Sequence, residues 1–219
     1  LAIKYVAEDR EKPFFLFISY IEPHFQNSRD DYPAPTGYEE RYIDPWTPPD
    51  LKTLGGTSAR HLPGYYGMGK RLDEALGRID DAIIRSQIQE DTIILYTSDH
   101  SCHFKTRNSE YKRSCHDASI RIPMALTGSI FTQGGRLMDM ISLVDIAPTL
   151  LDACGIDVPE DMDGRSFVPL IKREECEWAD HIYTEACDDN LLTRAIRSKR
   201  YKYIITATSS LDENHGKIK

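Results

Sequence analysis

An aspartate and a histidine, Asp99-His100, follow directly on the apolar run Thr92-Ile93-Ile94-Leu95-Tyr96, and a loop carrying Lys105, Arg107, Lys112 and Arg113 comes next. A carboxylate and an imidazole can ligate a divalent cation, and clustered cations can neutralise a doubly charged oxyanion. The two features in one stretch point to a site that binds a metal and an oxyanion together. A second imidazole, His24, follows the apolar run Phe14 to Tyr20 and the stop Ile21-Glu22-Pro23. Near neutral pH it can bind an oxyanion or protonate a leaving oxygen. Each piece alone has a plainer reading. An aspartate after a strand is often a cap or turn residue, a basic run is often a solvated face, and a lone histidine often sits on a surface loop. Only the combination argues for chemistry.

The elements that must carry these residues follow from periodicity. Thr92 to Tyr96 reads as a strand buried on both faces of a parallel sheet, so Asp99-His100 would lie at its carboxyl end, where open α/β sheets bind ligands. Phe14 to Tyr20 reads as a second such strand, presenting His24 at the same edge if the two are parallel. Leu1 to Arg10 reads as the end of an amphipathic helix, which makes half of a βαβ unit and implies an N-terminally truncated chain. Gly64 to Gln87 is a helix, with Leu72, Leu76, Ile79 and Ile83 at three- and four-residue spacing. The aperiodic stretch Phe25 to Pro63 reads as a functional loop or lid whose Tyr32, Tyr38, Tyr42 and Trp46 stack on a sugar or pack the loop to the body.

Further along, Ile141 to Asp145 reads as a short extended piece, and Asp145 as the cap of a helix running to Cys154 and closed by Gly155. Asp163 to Ser166 is a turn, and Phe167 to Ile171 an apolar docking segment. After the charged run Lys172 to Glu177, three short strands around His181 to Glu185, Thr193 to Arg197 and Tyr201 to Ile205 suggest a small antiparallel sheet. The division expected is therefore 1–172, a main α/β domain, and 173–219, a small and incomplete antiparallel subdomain.

Composition narrows the class. A net charge of -8 disfavours a nucleic-acid partner, so the basic loop stands out locally against an acidic background. The longest apolar run is too short to span a bilayer, so no transmembrane segment is expected. Five cysteines without C-x-x-C spacing argue against a disulfide framework.

The succession PFFLFISYIEPH, YYGMGKRLDEALGRIDDAI, TIILYTSDH, a following lysine, ASIRIPMALTG, ISLVDIAPTLLDACGI, MDGRSFVPLI and AIRSKRYKYI resembles the type I sulfatases of the alkaline-phosphatase superfamily. The resemblance runs in order from Pro13 to about Ile205. It implies an α/β fold with a large mixed sheet flanked by helices, a smaller C-terminal antiparallel sheet, and a C-terminal portion of the family's length. It also implies sulfate-ester hydrolysis by a formylglycine, with calcium or another divalent cation as cofactor. By the same resemblance Asp99 and His100 are metal-site residues and Lys112, twelve positions after His100, neutralises the sulfate oxygens. His24 lies near the leaving-group oxygen, and Lys105 competes with Lys112 for its role. Family members work in periplasmic, secreted or lysosomal settings.

Two departures stand out. Ser101 replaces the glycine that usually follows Asp-His, putting the backbone turn and the lysine's placement in question. The nucleophile signature, Cys or Ser then x-Pro-x-Arg, is absent, and in the family it lies N-terminal to everything present here. A sulfatase whose formylglycine lies upstream is the favoured reading, with the 219 residues alone expected to be inactive. The alternatives are a phosphoester hydrolase of the same superfamily and a non-catalytic binding or remnant domain. The aromatic loop and the group His103, Lys105 and Arg107 suit a sulfated small molecule or carbohydrate.

Overall fold

The structure is a computed structural model and describes residues 1–132, 134–188 and 191–208. Residues 209–219, which end the second expected domain, lie outside the described residues. The chain divides into two units, Leu1–Ile94 with Cys102–Lys112, and Leu95–Ser101 with Arg113–Lys219.

In the first unit, a long loop joins helix α1 (Ala2–Val6) to α2 (Pro49–Thr53), and a short one joins α2 to α3 (Ser58–Arg85). The expected helix is thus present and begins earlier, at Ser58. Its apolar stripe does the packing: Ile79, Ala82 and Ile83 are buried with Val6 of α1, and Ala2, Leu16, Ile88 and Ile94 lean on them. Each large aliphatic side chain buried in this way contributes roughly 1.5–3 kcal/mol. The other half of α3 holds the loop above it. A Cβ on Gly64 would lie 2.1 Å from the Tyr32 carbonyl oxygen, so only glycine lets this loop approach. The approach brings Tyr32 into an aromatic group with Phe25, His61, Tyr65, Phe104 and Tyr111, neighbouring centroids lying 5.1–5.6 Å apart. Tyr32 is therefore a packing residue, whereas Trp46 is exposed.

The strand expected over Phe14 to Tyr20 is not formed. Among the described residues this stretch has no ladder partner, although Phe14 to Phe17 keep an extended chain's alternation. Leu16 faces the core cluster, while Phe15 and Phe17 are 78% and 79% exposed. An extended segment becomes a strand only when a neighbouring backbone accepts its N–H and C=O groups, and none among the described residues does so.

Strand β1 (Ile94–Thr97) leads the chain into the second unit and pairs with β2 (Met124–Thr127). All four β1 residues are half-buried rather than covered on both faces, because β2 is its one neighbour among the described residues. Between them lies α4 (Asp117–Ile120). The expected extended piece at Ile141 to Asp145 is instead a 3-10 turn over Leu143–Asp145, opened by a reciprocal Ser142–Asp145 capping box. It runs into α5 (Ile146–Ala153), which Gly155 ends at a φ of 68°. The Asp145 carboxylate makes no cap to α5; it accepts from Ser142 N at 2.9 Å and Arg165 N at 3.0 Å, tying the 163–166 turn to this helix start. Phe167 and Val168, at the head of α6 (Val168–Lys172), are buried as expected of the docking segment.

The antiparallel sheet is present and longer than expected, with β3 (His181–Asp188), β4 (Leu191–Ser198) and β5 (Lys202–Thr208) in the order β3-β4-β5. Ala195, at its centre, is buried, and the buried Cys115 lies within 3.8 Å of the Thr184 and Thr193 carbonyls. Lys202 Nζ reaches the Cys115 carbonyl at 2.9 Å and pairs with Asp117, which also meets Arg197 at 3.4 Å. Burial works to raise the Asp117 pKa, but the Lys202 hydrogen bond and the two positive charges outweigh it and hold the carboxyl below its ordinary value.

Candidate active-site residues

His24, Lys105 and Lys112 belong to the first unit and Asp99 and His100 to the second. His24 follows a cis Glu22–Pro23 peptide and precedes the buried Phe25. Its Nδ1 lies 2.7 Å from the Phe25 carbonyl oxygen. A carbonyl only accepts, so Nδ1 carries the hydrogen and the neutral ring presents its lone pair at Nε2. Two groups meet that nitrogen: Tyr111 Oη at 2.8 Å and Lys112 Nζ at 3.5 Å. The Tyr111 ring stands edge-on to the imidazole at 5.3 Å, and the Lys112 ammonium lies 5.4 Å from the Tyr111 centroid. His24 and Lys112, 88 residues apart in sequence, are thus brought together.

The loop that presents Lys112 is anchored throughout. Thr57 N donates to Phe104 O at 2.8 Å, and the Phe104 ring joins the aromatic group around Tyr32. Cys102 Sγ lies 2.8 Å from Tyr32 Oη, and burial pushes its thiol pKa up, so this sulfur is not poised as a nucleophile. Phe104, Lys105 and Arg113 adopt positive φ of 51°, 58° and 56°, bending the loop near both ends. Lys105 is turned to another partner. Its ammonium lies 3.4 Å from Asp30 Oδ1 and 5.2 Å from the Phe25 centroid, and Asp30 also pairs with Arg60 at 3.0 Å. The Lys105 hydrogen bond, with the charge of Arg60, lowers the Asp30 pKa.

His103 does not join Lys105 and Arg107 as a ligand-facing group, contrary to expectation. It is 0% exposed, and its Nε2 lies 2.7 Å from the Lys112 carbonyl oxygen. Burial pushes its pKa down. Tyr111 was not singled out from sequence; the available signal was its adjacency to the lysine, which places both side chains at one loop end.

In the second unit, Asp99 and His100 face each other at the end of β1. Asp99 Oδ1 accepts from His100 N at 2.9 Å, and Oδ2 lies 3.5 Å from His100 Nε2. His100 Nδ1 donates to the Ser101 carbonyl at 2.9 Å, which leaves its lone pair on Nε2, the side of the carboxylate. Ser101 donates its own N–H to Ser119 O at 2.7 Å and has no positive φ, so the turn does not require the glycine it replaces. The Asp99 side chain is 82% exposed, so its oxygens are open to a cation. Among the described residues no group of three or more His, Cys, Asp or Glu gathers for a metal. One carboxylate and one imidazole fit a corner of a coordination sphere; a hard cation that takes six to eight oxygens needs more.

The Sulfatase family profile matches residues 1–156, and the profile for the N-sulphoglucosamine sulphohydrolase C-terminal region matches residues 109–213. Arylsulfatase K of Canis lupus familiaris is 33% identical over 151 residues, which cover 64% of this chain and 28% of that protein. An ulvan-active sulfatase of Formosa agariphila is 26% identical over 208 residues, covering 90% of this chain and 38% of its own. The crystal structure of yidJ from Bacteroides fragilis superposes with a TM-score of 0.77 at 26% identity, over 94% of this chain and 48% of its own. The chain therefore spans well under half the length of those curated relatives. The mixed α/β architecture with its small C-terminal antiparallel sheet is that of these structural neighbours, and the chain belongs to the sulfatase family.

Proposed function

We propose that this chain serves the hydrolysis of a sulfate ester on a small molecule or carbohydrate, as part of a sulfatase whose formylglycine lies upstream of these 219 residues. The observation that carries the reading is the meeting of Lys112 Nζ and Tyr111 Oη at His24 Nε2. Lys112 supplies a positive charge for the sulfate oxygens. His24, with Nδ1–H held by the Phe25 carbonyl, would give a proton from Nε2 to the departing ester oxygen once that nitrogen is protonated, with Tyr111 Oη and Lys112 Nζ beside it as groups able to supply the proton. Asp99 and His100 would hold a divalent cation, calcium or another, which when bound polarises a sulfate oxygen. Relatives that include an ulvan-active enzyme, and a match to the sulphoglucosamine sulphohydrolase C-terminal region, support a carbohydrate as the ester's alcohol.

The experiment compares the 219-residue chain with a form extended N-terminally to carry the formylglycine motif, each given aryl sulfate, aryl phosphate and calcium. Sulfate turnover by the extended form alone is expected, reduced on the order of 10²–10³-fold by Lys112→Ala or Asp99→Ala. Turnover by the 219 residues alone, or full activity after Lys112→Ala, overturns the reading. Faster turnover of the phosphate ester transfers the chain to the phosphoester class.

A further inference from the structure

His103 binds the backbone of the loop at two successive residues. Its N–H donates to Tyr111 O at 2.8 Å, and its Nε2 lies 2.7 Å from Lys112 O. The second partner is a carbonyl, so Nε2 must carry the ring hydrogen. Nδ1 is then a lone pair, buried and without a hydrogen-bond partner. Leaving that nitrogen unsatisfied costs free energy, and a plain core position would be filled more cheaply by an apolar side chain. The two carbonyls so gripped belong to the two residues whose side chains meet His24 Nε2. Asn108 Nδ2 adds a longer contact to Lys112 O at 3.4 Å, and Thr106 N and Oγ1 return to His103 O at 3.0 Å and 2.7 Å.

We infer that His103 is the positioning residue of the oxyanion-binding end of the loop, clamping the Tyr111–Lys112 backbone so that hydroxyl and ammonium both converge on His24. The inference rests on the reading that Lys112 meets the sulfate. A long lysine side chain reaches one point reproducibly only if its main chain is fixed, and a displacement near 1 Å in a reacting group costs on the order of 10²-fold.

The test is a double-mutant cycle in the whole, formylglycine-bearing enzyme, reading kcat/KM for an aryl sulfate and the inhibition constant of inorganic sulfate. Glutamine can place an N–H where Nε2–H stands, whereas asparagine is too short to reach Lys112 O. His103→Gln is expected to stay within about threefold of wild type, and His103→Asn to lose on the order of 10²-fold in kcat/KM and to weaken sulfate inhibition. In a Lys112→Ala background His103→Asn is expected to cost little more, because its effect runs through Lys112. Should His103→Asn fail to fold, as judged by its urea transition, His103→Gln against His103→Met in the same cycle decides the question. Fully multiplicative losses, or equal activity of the glutamine variant and the shortened or apolar one, overturn the clamp. If Lys112→Ala alone leaves sulfate inhibition and turnover intact, it is the reading of Lys112 that fails.

Discussion

Removing the Asp145 carboxylate should unfasten two segments of the second unit at once. The residue is 7% exposed, and its two oxygens serve different partners, Oδ2 accepting from Ser142 N and Oδ1 from Arg165 N. Asp145→Ala therefore strands two backbone donors and deletes half of the capping box. A stranded donor costs roughly 1–3 kcal/mol when fully buried; Arg165 is exposed and Ser142 half-buried, so the lower end applies to each. Loss of a capping side chain typically costs about 1 kcal/mol, and the same contact must not be counted twice, so the expected total is about 2–3 kcal/mol. Asp145→Asn keeps one acceptor oxygen and turns an amide N–H₂ toward the other donor, so it should fall between wild type and alanine. Urea unfolding followed by far-UV circular dichroism measures the difference, and the slope should not change if only the folded state is affected. A loss under about 0.5 kcal/mol for Asp145→Ala, the range of an ordinary surface substitution, would show that water replaces the carboxylate at no cost. An asparagine variant weaker than alanine would show that the two accepted bonds are not what the position supplies.

Two further outcomes follow from geometry and burial. A Cβ at Gly164 would lie 2.0 Å from Val144 O and 2.4 Å from its carbonyl carbon, so Gly164→Ala must push two backbones apart; a loss of at least about 1–3 kcal/mol in the same urea assay is expected, and a neutral result refutes the close approach. His103 and His61 have pKa values pushed down by burial, with the Arg60 charge adding to the effect at His61. The unfolded chain then binds more protons than the folded one, so stability is full above the ordinary histidine pKa of about 6.5 and is lost as pH falls through it toward the depressed folded values. The slope reaches at most about 1.4 kcal/mol per pH unit for each group, and His103→Gln should remove one histidine's share of it between pH 7 and 5.

Local chemistry was the legible part of this sequence. The 3.6-residue stripe Leu72, Leu76, Ile79, Ile83 gave α3 because one helical face was apolar, and the alternation from His181 to Ile205 gave the antiparallel sheet because strands joined by short turns find their partners nearby in sequence. Phe14 to Tyr20 was misread for the complementary reason. Its apolar residues announce an extended chain seeking cover, but pairing depends on a second backbone that this segment's own sequence does not encode. Asp145 was legible as a terminus residue and not as a bridge, since the Arg165 N–H it accepts lies twenty residues away. Tyr111 escaped, and His103 was read as ligand-facing, for a similar reason: that a tyrosine hydroxyl meets His24, and that a buried imidazole grips a carbonyl nine residues on, are consequences of loop closure.

Loop closure also distinguishes the two lysines that spacing left in competition. Both belong to the same loop, and both are long enough to move. Lys105 directly follows the anchored Phe104, shares its positive φ, and turns its ammonium onto Asp30, a carboxylate already held by Arg60. An anion arriving there would compete with a carboxylate that already accepts from both cations. Lys112 leaves the loop at the end His103 clamps, and the group it approaches is an imidazole whose other nitrogen is committed to the Phe25 carbonyl. A sulfate placed beside the Lys112–His24 pair would meet both a positive charge and a ring able to carry a proton. Under the proposed function, that difference in the neighbouring charge, more than the distance of either lysine from Asp99-His100 in the sequence, favours Lys112 for the oxyanion, while Lys105 lies against Asp30 and the Phe25 ring.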